Sequence, residues 1–285
     1  MISQEVITLN ITKVDSSNFK FKQTGQLPKK IDEASGLEKS SKKNTFWTHN
    51  DDGLPVIYGI DSIGNSVKAI HLGSKNSGWE DLATDNENNL YVGSFGNNKN
   101  DRKNLKILKL KDPFTYEKSV VSPEIINYKY EDQNEFPPTK ANMNYDVDAM
   151  IFFNDSLYLF TKNRTEPFNS EINIYSLPSI SGEYVAKKVE SFELSKGNMI
   201  SNWITGAAIS PSKKVIALLF HSKILLLTDF NNSSFTKAKF YQIDLNHFSH
   251  KAGISFGNSD NKIFIVDEKE FGVLGGNIYC LTFKL

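Results

Sequence analysis

Carboxylates are the residues of this chain whose type and spacing could do chemistry. Glu80 and Asp81 stand side by side in Gly78-Trp79-Glu80-Asp81-Leu82-Ala83, and Asp146 and Asp148 flank a valine farther on. Glu33 precedes Ala34-Ser35-Gly36-Leu37, and His49-Asn50-Asp51-Asp52 follows Phe46-Trp47-Thr48. If these segments meet, carboxylate, amide and carbonyl oxygens surround one point, which is the donor set a hard cation such as Ca²⁺ or Mg²⁺ takes. Glu33, Asp51, Glu80 and Asp148 are then the expected ligands, and the cation would polarise a scissile group or activate water. Asp146 and His49 are the candidate bases, and Arg102, Lys162 and Arg164 the candidate contacts for an anionic substrate group. The alternative is a salt-bridged mouth in which Lys162, Arg164 and Lys251 neutralise the acids without a metal.

Other chemistries find little support. Gly93-Ser94-Phe95-Gly96-Asn97-Asn98 has no following Gly-Lys-Ser/Thr and no helix after it, so it is not a nucleotide phosphate loop. No Gly-x-Ser-x-Gly elbow offers a serine nucleophile. The five histidines lack zinc-ligand spacing, and the single cysteine, Cys280, sits in an apolar run that reads as core. Trp47, Trp79 and Trp203 read as packing between structural units rather than as a sugar platform.

The elements that must position these groups are strands. Helical periodicity is nearly absent, and short runs rich in Val, Ile, Tyr, Phe and Thr are broken by Asn, Asp, Gly, Ser and Pro. Five segments pair a small or acidic residue with an apolar one, at 35–37, 80–82, 148–150, 207–209 and 252–254. Second runs begin at Phe46, Leu90, Leu157, Val215 and Ile263. Third runs occupy 56–60, 105–110, 172–177, 224–227 and 278–283, and fourth runs 67–72, 125–130, 185–194 and 240–245. The last unit ends before its fourth run, and the alternating Phe19-Lys20-Phe21-Lys22 supplies one from the other terminus. The pattern predicts one domain over 1–285, an all-β five-bladed β-propeller of four-stranded antiparallel blades closed by an N-terminal strand. A two-sheet sandwich is the competing architecture. Residues 1–15 are expected to add one more outer strand, and the stretches 131–144 and 163–170 are expected to be surface loops.

In such a blade the first strand starts, and the second ends, on the same face. That rule gathers Glu33, Glu80, Asp81, Asp146 and Asp148 with His49 to Asp52, Asn97, Asn98, Lys162, Arg164, His221, His250, Lys251, Asp267 and Glu268. The opposite face receives ordinary polar hairpins. Charge is balanced at 33 basic and 33 acidic side chains, so no global field points to nucleic acid or to an anionic membrane surface. No run approaches the length of a membrane span, and the N-terminus lacks a secretory pattern. The expectation is a monomer that is cytoplasmic, or extracytoplasmic if the chain is a processed form.

At Glu33 to Leu37, Trp47 to Gly53, Trp79-Glu80-Asp81-Leu82-Ala83 and the 93–98 turn before Arg102, the chain resembles a group of uncharacterised bacterial β-propeller proteins. Their signatures are W-E-D-[IL]-A and G-D-I-G-[DN]-N-x-x-x-R, and Asp146-Val147-Asp148-Ala149-Met150 with Thr161-Lys162 matches their third unit. The chain departs from them at Ser94-Phe95, Ala207-Ala208 and Ala252-Gly253. A looser likeness runs to calcium-dependent apyrases and to regucalcin/gluconolactonase propellers, which implies a divalent cation at the channel mouth. Two functions follow as expectations. One is a metal-dependent hydrolase acting on a small anionic or ester substrate. The other is a non-catalytic propeller binding a small-molecule or protein ligand on its loop face.

Overall fold

Alternation of apolar and polar residues dictates strands, and runs that are apolar throughout dictate strands buried on both faces. The computed structural model of the chain describes residues 7–194, 197–231, 234–270 and 274–285. Residues 1–6, where the expected N-terminal outer strand begins, lie outside the described residues. Over the described residues the protein is nearly all-β, with one nine-stranded sheet, two five-stranded sheets, a four-stranded sheet and a two-stranded ribbon.

The first five-stranded sheet runs antiparallel through Ala34–Lys39, Thr45–Asn50, Val56–Asp61 and Ser66–Leu72, with Val120–Val121 parallel on its outer edge. The nine-stranded sheet contains two antiparallel runs of four. One is Trp79–Thr84, Leu90–Ser94, Lys106–Leu110 and Glu124–Tyr130. The other is Val147–Phe153, Ser156–Thr161, Glu171–Pro178 and Gly182–Glu193, and the two runs meet where Glu124–Tyr130 and Gly182–Glu193 pair in parallel. The second five-stranded sheet holds Gly206–Ile209, Val215–Leu219, Lys223–Thr228 and Lys239–Asp244. In the four-stranded sheet Lys251–Phe256, Lys262–Asp267 and Asn277–Phe283 are completed by Phe19–Gln26, antiparallel to Asn277–Phe283.

Among the described residues the segment before Phe19 makes two short strands rather than one. Ile7–Thr8 lies parallel to Gly182–Glu193 and Ile11–Lys13 parallel to Lys239–Asp244, so the N-terminal arm covers the outer edges of two sheets before completing a third. Covering these edges protects unpaired backbone groups from adventitious pairing.

The strands beginning at Ala34, Trp79, Val147, Gly206 and Lys251 neighbour one another in a closed cycle. Outside that cycle the core is divided among the spaces between successive antiparallel runs. Trp47 and Ile57 meet Leu82 and Leu108, and Tyr91 and Ile107 meet Met150 and Leu159. Within Val215–Leu219, Ile216 and Leu218 face one such cluster while Val215, Ala217 and Leu219 face the next. Both faces of that strand are therefore buried, which is why its sequence is apolar without a break. Cys280 is buried in the cluster that joins the last sheet to the first, as its apolar surroundings predict. Among the described residues no helix is long and apolar enough to cross a membrane.

Candidate functional site

The acids come together through irregularities in the first strands. Pairing with the second strand skips Gly36, Glu80, Asp148 and Ala252, each near the start of its first strand. A bulge of this kind leaves the extra residue unpaired and re-aims its side chain. Where that residue is Glu80 or Asp148 the bulge carries a carboxylate, and where it is Gly36 or Ala252 it carries no charge.

Glu80 is half-buried, and no hydrogen bond reaches its carboxylate from the described residues. Its seat is Gly96, where an added Cβ would lie 1.9 Å from Glu80 Oε1. Burial raises the Glu80 pKa well above the carboxylate range, and the charges of Asp148 and Asp51 push the same way against the pull of Lys162. Asp51, just past the second strand of the first sheet, is pushed up to about 7 by burial, with Asp52, Asp148, Glu268 and Glu33 adding to it. Lys162 ion-pairs with Asp148. Burial opposes the Lys162 charge, but Asp148, Asp146 and Glu80 outweigh it and hold its pKa above the ordinary value. Glu33 is exposed, and its carbonyl accepts the Asp51 amide at 2.9 Å.

The candidate bases are differently placed. Asp146 is fully buried, and its two oxygens accept from the Asn97 amide at 2.6 Å and from Arg164 Nε at 2.5 Å. Arg164 also donates to Asn98 Oδ1. His49 is fully buried edge-on to Trp79, with Nδ1 3.1 Å from the Asn50 carbonyl and Nε2 without a partner among the described residues. Burial pushes its pKa down to about 4, so the ring is neutral. Arg102 is set apart from the acids by its own bonds: its guanidinium donates to the Ser77, Gly96 and Ser94 carbonyls at 3.0, 2.6 and 3.3 Å.

Asp81 plays a different part from its neighbour. Fully buried, it accepts from the Leu82 amide at 2.9 Å, the Met150 amide at 2.7 Å and the Ala207 amide at 3.2 Å. One carboxylate thus ties three of the five first strands together. Ser35 Oγ adds a tie from the first strand of one sheet to the Glu80 carbonyl, at 2.8 Å. Lys251 is likewise interior, with Nζ bonded to the His221 and His247 carbonyls, Ser249 Oγ and His247 Nδ1. Burial lowers its pKa to about 8.

Two features are absent from the sequence reading. Trp203 lies under both cations, 5.2 Å from Lys162 Nζ and 4.7 Å from the Arg164 guanidinium carbon, while its indole N–H donates to the Asn163 carbonyl at 2.8 Å. No local pattern marks it for that position. Gly96 as the seat of Glu80 is legible only as one glycine of a turn. Trp47 and Trp79 are buried packing residues, as expected. Among the described residues no group of three or more His, Cys, Asp or Glu side chains is placed to hold a metal ion. In this arrangement Glu33, Asp51, Glu80 and Asp148 do not form a ligand set, since Glu33 faces solvent and Asp148 is engaged by Lys162.

No family model matches the chain, and no curated protein matches it. Among solved structures it is similar to a gluconolactonase from Xanthomonas campestris, at 10% identity and a TM-score of 0.50, covering 99% of this chain and 100% of that one. It is also similar to a virginiamycin B lyase from Staphylococcus aureus, at 15% identity and a TM-score of 0.43, covering 88% of this chain and 66% of the lyase. A β-propeller domain of Cps50 from Myceliophteria thermophila matches at 7% identity and a TM-score of 0.44, covering 94% of this chain and 99% of that one. At these identities the likeness is one of fold: a nearly all-β chain with propeller neighbours.

Proposed function

We propose that the chain is a five-bladed β-propeller closed by Phe19–Gln26, and that its mouth is a hydrolase-like site for a small ester or anionic substrate. The observation that carries this reading is the state of Glu80: a carboxyl pushed toward its protonated form, free of hydrogen bonds from the described protein, with the Lys162 ammonium among the charges acting on it. A carboxyl with a raised pKa is suited to donate a proton to a leaving group at neutral pH. Asp51, with its pKa near 7, is suited to take a proton from water. Lys162 supplies positive charge for an anionic oxygen that develops in the transition state. In this reading Asp146 is a positioning residue that holds Arg164, and His49 and Arg102 are structural.

Ca²⁺ or Mg²⁺ would supply Lewis-acid polarisation if bound, but it would require Asp148 to leave Lys162 and Glu33 to turn inward. The Xanthomonas protein is named a gluconolactonase, and a lactone is an ester closed on itself, so sugar lactones belong in the assay panel as candidates.

The test is hydrolysis of p-nitrophenyl esters and of five- and six-membered lactones by the wild type, Glu80→Gln and Asp51→Asn. The expected result is turnover that rises with pH through the Asp51 titration near 7 and falls by about a hundredfold or more in either variant. If turnover never exceeds that of Glu80→Gln, the hydrolase reading is overturned. That outcome favours the second reading, a non-catalytic propeller binding a small-molecule or protein ligand. Its own support is that the Lys162–Asp148 and Arg164–Asp146 pairs are already satisfied.

A further inference from the structure

The outer edges of the antiparallel runs are not treated alike. Val120–Val121 lies along the edge of the first run, Glu124–Tyr130 and Gly182–Glu193 cover one another, and Ile11–Lys13 covers the run that ends in Lys239–Asp244. Among the described residues Phe19–Gln26, the outermost strand of the last run, pairs only with Asn277–Phe283. The Phe283 amide donates away from it, to the Asn261 carbonyl at 3.1 Å, and the Lys284 amide donates to the Asn18 carbonyl at 2.8 Å. Bonded and non-bonded pairs alternate along an antiparallel ladder, so Lys20 and Lys22 bond inward to Thr282 and Cys280. The backbone N–H and C=O groups of Phe19, Phe21 and Gln23 then turn outward. Beyond Gln23 the edge is closed: Thr24 Oγ1 donates to the Ser62 carbonyl at 3.3 Å, and a Cβ at Gly25 would lie 2.1 Å from the Ile63 carbonyl oxygen. The open length is about five residues, or about 17 Å of strand.

The two faces of this edge differ. Lys20 and Lys22 are exposed on one of them, and the register puts Lys262 in the same cross-strand row as Lys20, with Thr282 between. None of the three lysines is ion-paired among the described residues. Asp267 is the one acid in the strands Phe19–Gln26, Lys262–Asp267 and Asn277–Phe283. It is fully buried and accepts from the Asn277 amide at 2.6 Å and the Tyr279 hydroxyl at 2.7 Å. A chain with no net charge therefore carries a positive strip here. On the opposite face Phe19 and Phe21 are half-buried against the cluster that includes Tyr279 and Phe283, and Phe21 stacks on Tyr279 at 5.0 Å.

We propose that this edge takes up an extended segment of another protein in which acidic and apolar residues alternate. The segment's backbone completes the outward N–H and C=O groups, its carboxylates meet Lys20 and Lys22, and its apolar side chains extend the surface of Phe19 and Phe21. Lysines on an edge strand are a guard against pairing with a like strand. A second copy of this chain docked edge to edge sets lysines against lysines, so the charges that exclude self-association also select an acidic partner. Binding at this edge is independent of the hydrolase reading of the mouth.

The experiment measures fluorescence anisotropy of three labelled peptides added to the full chain at low ionic strength. They are Glu-Val-Glu-Val-Glu-Val, its counterpart with lysine in place of glutamate, and the acidic peptide N-methylated at every backbone amide. The acidic peptide is expected to bind saturably, about tenfold or more tighter than the lysine peptide. The N-methylated form keeps the charges but cannot donate to the edge, so it is expected to bind at least about tenfold more weakly. Lys20→Glu with Lys22→Glu, at two exposed positions, is expected to reverse the preference between the acidic and lysine peptides with a melting temperature within a few degrees of wild type. The proposal is overturned if the acidic peptide does not saturate, if the N-methylated form binds as tightly, or if the double variant keeps the wild-type preference. A wild-type dimer that the acidic peptide dissociates, read by sedimentation, would assign the edge to a second copy and overturn it as well.

Discussion

At the scale of single residues, the same chemical group does opposite work according to its neighbours. Asp81 is saturated with backbone donors and holds strands together, whereas the carboxylate of Glu80, next to it in the chain, accepts none from the described residues. The position of Glu80 depends on the missing side chain at Gly96, which leads to a prediction. In Gly96→Ala the new methyl meets the far end of a flexible side chain 1.9 Å away, so Glu80 swings aside at little cost in stability. Hydrolysis is expected to fall by at least as much as in Glu80→Gln, with a melting temperature within a few degrees of wild type. Gly93→Ala is the contrast. There the added Cβ lies 2.1 Å from the Phe95 ring, which is fully buried, so stability should fall by about 1–3 kcal/mol from overpacking.

At the scale of elements, the N-terminal arm is bound to three sheets in succession. Ile7–Thr8, Ile11–Lys13 and Phe19–Gln26 each occupy an outer edge, and only the last is antiparallel to its neighbour. Deleting residues 1–24 removes the first two strands and most of the third, leaving Asn277–Phe283 as a bare edge. Exposed edges of that length template association between molecules. The truncated chain is expected to aggregate on heating and to lose its single cooperative melting transition. Melting at the wild-type temperature would show that the arm contributes nothing to closure.

At the scale of the whole molecule, buried titrating groups set how stability varies with pH. Burial raises Asp51 to about 7 and Glu38 to about 8, and it raises Glu80 and Asp81 as well. A carboxyl whose folded pKa exceeds its unfolded value binds its proton more tightly in the folded state, so it contributes stability at low pH that is lost as pH rises through the folded pKa. His49 and His221 act the other way. Both are pushed down to about 4, chiefly by burial, so they cost stability as pH falls from 6.5 toward 4. Above pH 6.5 the unfolded histidines give up their remaining protons and Lys251, lowered to about 8, begins to work the other way, but the loss of protons from Asp51 and Glu38 outweighs both. Stability is therefore expected to decline between pH 6.5 and 8, as urea midpoints across that range would show. The double variant Asp51→Asn, Glu38→Gln should flatten the decline; an equally steep slope in the variant would discount both groups.

The strand plan is a local property, and so it was legible in the chain. Alternation in Phe19 to Lys22 and unbroken apolar runs such as Val215–Leu219 report which faces are buried, because side chains on a strand alternate with a period of two. The direction rule for antiparallel strands then sufficed to put Glu80, Asp51, Asp148 and Lys162 on one face. What the acids do there was settled by contacts between residues far apart in sequence. Bulges fall at Glu80 and Asp148, and Lys162 claims Asp148. Arg102 turns to the backbone carbonyls of Ser77, Ser94 and Gly96, and Asp81 reaches a strand 126 residues away. Whether a carboxylate is free, paired or bonded to amides is decided by separations of an ångström or two. Residue type and spacing along a chain place groups on a face but carry no information at that resolution.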